Sequence, residues 1–178
     1  MRYPLLKTLL AGLAGGLALN LAMLLAFRMI GFGWNGGGIL LDPALQSSKL
    51  IAVWTQLEPL PLVVVNPTLI ITGLVLFAIV HAFIYRWLAP AWPPGIPAKA
   101  LRLAALVFLL SFVFWEFFTP FNQLGEPLAL IALELTFWAA IALTEGFAIA
   151  AVKEAKRLRS VKGLDTCSSF RALVSKYK

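Results

Sequence analysis

Four residues combine a reactive side chain with a place inside an otherwise apolar run: His81, Glu116, Glu134 and Glu145. Glu134 and Glu145 are eleven residues apart, close to three turns at about 3.6 residues per turn, so they share a helix face with Trp138 and Ile141 between them. A carboxyl group in hydrocarbon is tolerated when it is protonated or paired, so both should point into a helix bundle. Counting about 1.5 Å per residue puts Glu116 and Glu134 at one depth, roughly 8–11 Å below one membrane boundary. Glu145 falls nearer the opposite side, and His81, about 20 Å down, lies closer to Glu145. The expected pairs are Glu116 with Glu134 and His81 with Glu145. Two carboxyls in contact cannot both ionise cheaply, and a ladder of Glu, Glu, His and Glu is what a proton path needs. The same residues can instead be interhelical hydrogen bonds that fix packing, with Asn20, Thr136 and Thr144 as candidate partners.

Other chemistry is narrower. His81 is the only histidine, which excludes a haem held by two histidines of this chain. It leaves His81 as the one candidate axial ligand for a tetrapyrrole pigment or haem, against the plainer reading of a hydrogen-bonded interior histidine; lipid and quinone are the other cofactors considered. A metal site from Glu116, Glu134 and His81 lacks the Glu-x-x-His spacing of helical-bundle carboxylate sites, so no metal is expected. The single cysteine, Cys167, excludes an intrachain disulfide and a CxxC pair. Neither a GxSxG nor an HExxH motif occurs, and no catalytic residue is assigned.

These residues must be held by membrane-spanning helices. The chain has 178 residues, 61% hydrophobic and 13% charged, against about 45–50% and about 25% for soluble domains. A span needs about 20 apolar residues, and four stretches reach that length: 5–30, 68–89, 98–119 and 127–152. The first is read as a retained span and not a signal peptide, because its apolar run is longer than a signal core. Thirteen basic residues fall on one side of these spans and two, Arg28 and Lys49, on the other. The positive-inside rule then places both termini in the cytoplasm, and an inner membrane is expected. The fold class is all-α: a polytopic integral membrane protein with four transmembrane helices, a bundle over 1–152 and a basic cytoplasmic tail over 153–178. The net charge of +7 is mostly this topology signal, so no nucleic-acid partner is expected.

The long outer connection, 31–67, opens with a glycine-rich stretch. Asp42-Pro43 reads as a helix start, and Leu50, Val53, Trp54 and Leu57 follow at helical spacing. An interfacial helix over about 43–57 is expected, with Trp54 at headgroup level. Residues 90–97 hold four prolines and should form a stiff, non-helical connection, with Trp87 and Trp92 in the aromatic belt. The turn over 120–127 makes spans three and four an antiparallel hairpin. Its Phe rings with Asn122, Gln123 and Glu126 either contact a partner or headgroup or simply anchor a tight turn.

Span one carries small residues, including Gly12, Gly15, Gly16, Ala18 and Ala22, which let backbones approach closely. They pack either on the chain's own spans or on a helix of another protein. In the tail, Lys153, Lys156, Arg157, Arg159 and Lys162 should contact anionic lipid or a partner, with 163–178 loosely ordered. Membrane lipids and other membrane-protein subunits are the expected partners. The expected function is a non-catalytic accessory or structural subunit of a larger membrane complex, packing on partner helices and lipid or lipid-like cofactors. The competing reading is a small proton-coupled transporter or membrane enzyme using Glu116, Glu134, Glu145 and His81.

Overall fold

A computed structural model describes residues 4–175, with side chains described through residue 155. Among the described residues there are helices and turns and no strand. In chain order the helices are α1 (Pro4–Gly31), α2 (Ser48–Thr55), α3 (Leu62–Val65), α4 (Pro67–Ala91), α5 (Ile96–Leu124) and α6 (Leu128–Ser175). Four of them, α1, α4, α5 and the Leu128–Ala155 part of α6, are long and apolar enough to cross a membrane. The chain is a multi-pass membrane protein with one long connection, which holds α2 and α3. The bundle has a terminal end, where α1 begins and α6 leaves, and a loop end, where α2 and the α5–α6 turn lie.

α1 and α6 form the centre: α1 packs along both α4 and α6, and α5 packs along α6. The consecutive spans α4 and α5 barely touch. Two apolar clusters result. One, toward the terminal end, joins Ala11, Ala82, Tyr85, Leu103 and Ile149 from all four spans. The other, toward the loop end, joins Leu19 and Phe27 to Leu130 and Ile141, with Leu40 of the long connection closing it.

The small residues of α1 face its own neighbours. A Cβ on Gly12 would lie 2.6 Å from Ile79 Cα, and one on Gly16 2.9 Å from Val75 Cα, so α1 and α4 meet backbone to backbone. Gly15 makes the same allowance for Ile149 of α6. Ala18 and Ala22 are half-buried on the same helix. Of the two readings of this stripe, packing on the chain's own spans is the one seen at Gly12, Gly15 and Gly16.

Four boundaries also depart from the sequence reading. The interfacial helix is α2, shorter than 43–57, and Ser47 is its cap, accepting from Leu50 N at 3.1 Å. Asp42 instead closes a local turn through Ala44 N at 2.9 Å. The proline-rich connection is partly helical. Pro90 lies in the last, tighter turn of α4 and Pro97 in the first turn of α5, where a missing N–H breaks nothing, so residues 92–95 alone are irregular. α5 runs through Pro120 to Leu124, which shortens the outer turn to residues 125–127. Finally, α6 continues unbroken to Ser175, so residues 163–175 are helical, not loose. The side chains of Lys156, Arg157, Arg159 and Lys162 lie outside the described residues.

Candidate functional site

The carboxyls are brought together by a change of register in α5. Its inward face reads Ala100, Leu103, Ala104 and Val107, then steps five residues to Phe112 and on to Glu116 and Pro120. The five-residue step coincides with a π-helical turn at Phe108–Phe112. In an unbroken α-helix Glu116 would lie nine residues past Val107, about 180° around the helix and facing lipid. The extra residue taken up by the π turn rotates it inward. Leu110, Phe114 and Phe118, which an unbroken pattern would bury, are the exposed residues. A second π turn, Phe117–Phe121, carries Pro120. Gly125 then adopts a left-handed φ of 68° that stops the helix.

That stop places Glu126 directly beneath the long connection. Lys49 Nζ donates to Gln123 O, and Ser47 Oγ donates to Leu124 O at 2.7 Å, so residues of the connection cap the open carbonyls of α5. Gln46 is buried between them. Its amide donates to Leu40 O at 3.2 Å and to Glu126 Oε1 at 2.6 Å, while its own oxygen accepts from Ser47 N at 2.8 Å. Burial pushes the Glu126 carboxyl above the usual glutamate range; the Gln46 hydrogen bond opposes this and the neighbouring Glu116 adds to it.

Glu116, Glu126 and Glu134 thus form one cluster, each offering an oxygen within 4.8 Å of the others, and all three are buried. Glu116 Oε1 accepts from the Trp138 indole N–H, and a Glu116 oxygen and a Glu134 oxygen lie within 4.8 Å of one another. An ionised carboxylate only accepts, so a direct hydrogen bond between two of these carboxyls requires a proton on one of them. Among the described residues no lysine, arginine or histidine nitrogen lies within 4.0 Å of any of the three. Glu116 Oε2 and Glu126 Oε2 are buried with no hydrogen-bond partner among them.

The second polar group is at mid-bundle. His81 Nδ1 lies 2.7 Å from Glu145 Oε1, with side-chain exposures of 5% and 1%. The His81 ring meets Phe77 edge-on at 4.1 Å. A Cβ on Gly15 would meet Glu145 Cγ at an ordinary contact distance of 3.5 Å; the room that Gly15 leaves is taken by Ile149, one turn on. Here an acid meets a base, and the pair ties α4 to α6.

Between the two groups lies an apolar layer. Trp138 stacks on Phe112 at 4.3 Å and packs on Phe27 at 4.7 Å, and Ile141 below it is fully buried. No hydrogen bond links the two groups among the described residues.

Three sequence expectations are corrected here. Asn20 donates to Gly16 O at 2.8 Å and to Ile71 O at 3.5 Å, which serves the α1–α4 contact and not the carboxyls. Thr136 and Thr144 donate to the carbonyls of Ala132 and Ala140 within α6 and are exposed, because they fall on its outer face. Glu126, read as a possible headgroup contact, is 1% exposed. Sequence reasoning missed Gln46 altogether. The available signals were a carboxyl between Gly125 and Pro127 in a minimal turn, and the serine cap that follows Gln46. No protein-family model, curated protein or solved structure matches this chain.

Proposed function

We propose that this chain is a small proton-handling membrane protein whose loop-end carboxyls bind and release protons. The observation that carries the reading is the trio Glu116, Glu126 and Glu134, buried within 4.8 Å of one another without a cationic partner among the described residues. Three carboxylates at that spacing repel strongly in a low-dielectric site, and protons relieve the repulsion. The His81–Glu145 pair is a second proton station. The Phe27, Phe112, Trp138 and Ile141 layer supports a coupled carrier, in which rearrangement links the stations, over a continuously open proton channel. On this reading the chain sits in a cell inner membrane with both termini cytoplasmic, which the thirteen-to-two distribution of basic residues supports.

Infrared difference spectra of the reconstituted chain, titrated with pH, test this. A protonated-carboxyl band should persist near neutral pH and be lost in Glu134→Gln. A spectrum identical in wild type and variant would remove the basis of the reading. Reporter fusions after Lys178 check the orientation, with cytoplasmic activity expected.

A second reading is an accessory subunit of a larger membrane complex, packing on lipid or partner helices. It draws on the outward aromatic face of α5, where Val113, Phe114, Phe117, Phe118 and Asn122 line a shallow cleft. Extraction in mild detergent followed by size analysis separates the readings, since a subunit should leave the membrane with its complex.

A further inference from the structure

At the terminal end, cations from different spans converge. Lys7 of α1 donates through Nζ to the carbonyl of Lys153 on α6, and Lys153 Nζ reaches back to Thr8 Oγ1 at 2.9 Å. Arg86 on α4 and Lys153 on α6 are the chain neighbours of Tyr85 and Glu154, which are hydrogen-bonded at 3.1 Å, so Arg86 and Lys153 lie at one level of the bundle. The nearby carboxylate is Glu154, whose Oε1 accepts from Lys99 Nζ at 2.9 Å and from Tyr85 OH at 3.1 Å. Lys7, Arg86, Lys99 and Lys153 therefore share a neighbourhood with one acid. Among the described residues, Lys7, Arg86 and Lys153 have no carboxylate oxygen within 4.0 Å.

We infer that Lys7, Arg86 and Lys153 form an interhelical site for the phosphate of an anionic phospholipid. Like charges gathered at a partly desolvated place destabilise one another, and an anion seated among them reverses the sign of that interaction. All three are half-buried, and an ammonium group has three N–H donors, so Lys7 and Lys153 keep donors beyond the bonds to Lys153 O and Thr8 Oγ1. Counting about 1.5 Å per residue, each lies within about 8 Å of the end of its span, the level of lipid phosphates and ester groups. A lipid, unlike free phosphate, also meets the exposed apolar side chains beside the site, Leu6 and Leu10 of α1. Basic pockets between spans take lipid headgroups in this way. The site takes one of the tail cations, Lys153, and joins it to Lys7 and Arg86 of other spans; it stands whether or not the carboxyl cluster handles protons.

Native mass spectrometry of the full chain, delipidated in detergent, tests it with phosphatidylglycerol, phosphatidylcholine of the same acyl chains, and inorganic phosphate. Phosphatidylglycerol should be retained in preference to phosphatidylcholine, and the preference should fall about fivefold for each cation removed. Arg86→Gln is the cleanest single change, because Arg86 makes no hydrogen bond among the described residues. Lys7→Gln, Arg86→Gln and Lys153→Gln together should abolish the preference. Replacing Lys156, Arg157, Arg159 and Lys162 with Gln should preserve it. Equal retention of the two lipids, loss with the tail variant while Arg86→Gln is silent, or displacement of the lipid by millimolar inorganic phosphate would each overturn the assignment.

Discussion

At mid-bundle Glu145 faces a base, whereas at the loop end Glu116, Glu126 and Glu134 face one another. The His81–Glu145 pair joins two spans, α4 and α6, at 2.7 Å. The loop-end trio instead depends on a connection outside the spans, through Gln46, and on a π turn in α5. The difference teaches what each group is suited to. An acid–base pair between two spans ties helices together, while carboxyls without a cation among the described residues, beneath a polar loop, are on the proposed reading placed to exchange protons with the loop side.

The sharpest way to break the contrast is to remove one partner of the mid-bundle pair. Glu145→Leu should destabilise the bundle by about 3–5 kcal/mol, because His81 stays buried without its acceptor. The double variant Glu145→Leu with His81→Leu should recover much of that loss. Unfolding in mixed micelles measures both. Equal losses for single and double variants would mean that the two residues act independently.

Gln46→Leu should cost less, about 1–3 kcal/mol, by leaving Leu40 O and Glu126 Oε1 without a donor. It should also loosen the connection over the cluster, read as faster amide exchange in residues 40–50 with the spans unchanged. Gly15→Ala probes the other side, since its Cβ would meet Ile149 Cγ1 at 2.7 Å. A loss of about 1 kcal/mol is expected as the flexible Ile149 end shifts, together with a disturbed His81 ring signal by NMR.

The pH dependence should separate the groups further. The Glu126 carboxyl is raised in the folded state, chiefly by burial, so the folded chain binds its proton more tightly than the unfolded chain does. Its contribution is complete below the unfolded value of about 4.3 and is lost as pH rises through the folded value. Glu126→Gln should therefore flatten part of the decline of stability with rising pH. Gln46→Leu should extend that decline to higher pH, because the Gln46 amide favours the ionised form. The smallest effect on stability is expected from Glu134→Gln, which keeps shape and hydrogen bonding. Glu134→Leu should instead cost about 1–3 kcal/mol, and near-equality of the two in thermal unfolding would deny Glu134 a hydrogen-bonding role in the cluster.

Helix existence, span number and the shared face of Glu134 and Glu145 were all legible in the sequence. Each depends on local rules: about 20 apolar residues to cross a bilayer and about 3.6 residues per turn. Depth counting also paired His81 with Glu145, because α4 and α6 are close to regular over the relevant turns. Depth counting likewise set Glu116 beside Glu134, where the structure has it, but what turns it inward was not legible. Glu116 faces inward because a π turn at Phe108–Phe112 shifts the register of α5, and a one-residue shift leaves no mark in composition or hydropathy when every neighbour is apolar. Glu126 and Gln46 meet across eighty residues of chain, where no periodicity connects them. Their contact depends on the connection folding back over the end of α5, with Ser47 and Lys49 bonding its free carbonyls. Likewise, the small residues of α1 announced close packing, but which helix they admit was decided by the arrangement of the bundle. Local spacing selected the faces; the tertiary fold selected their partners, because contact between distant segments depends on the sum of all packing and not on any one stretch of chain.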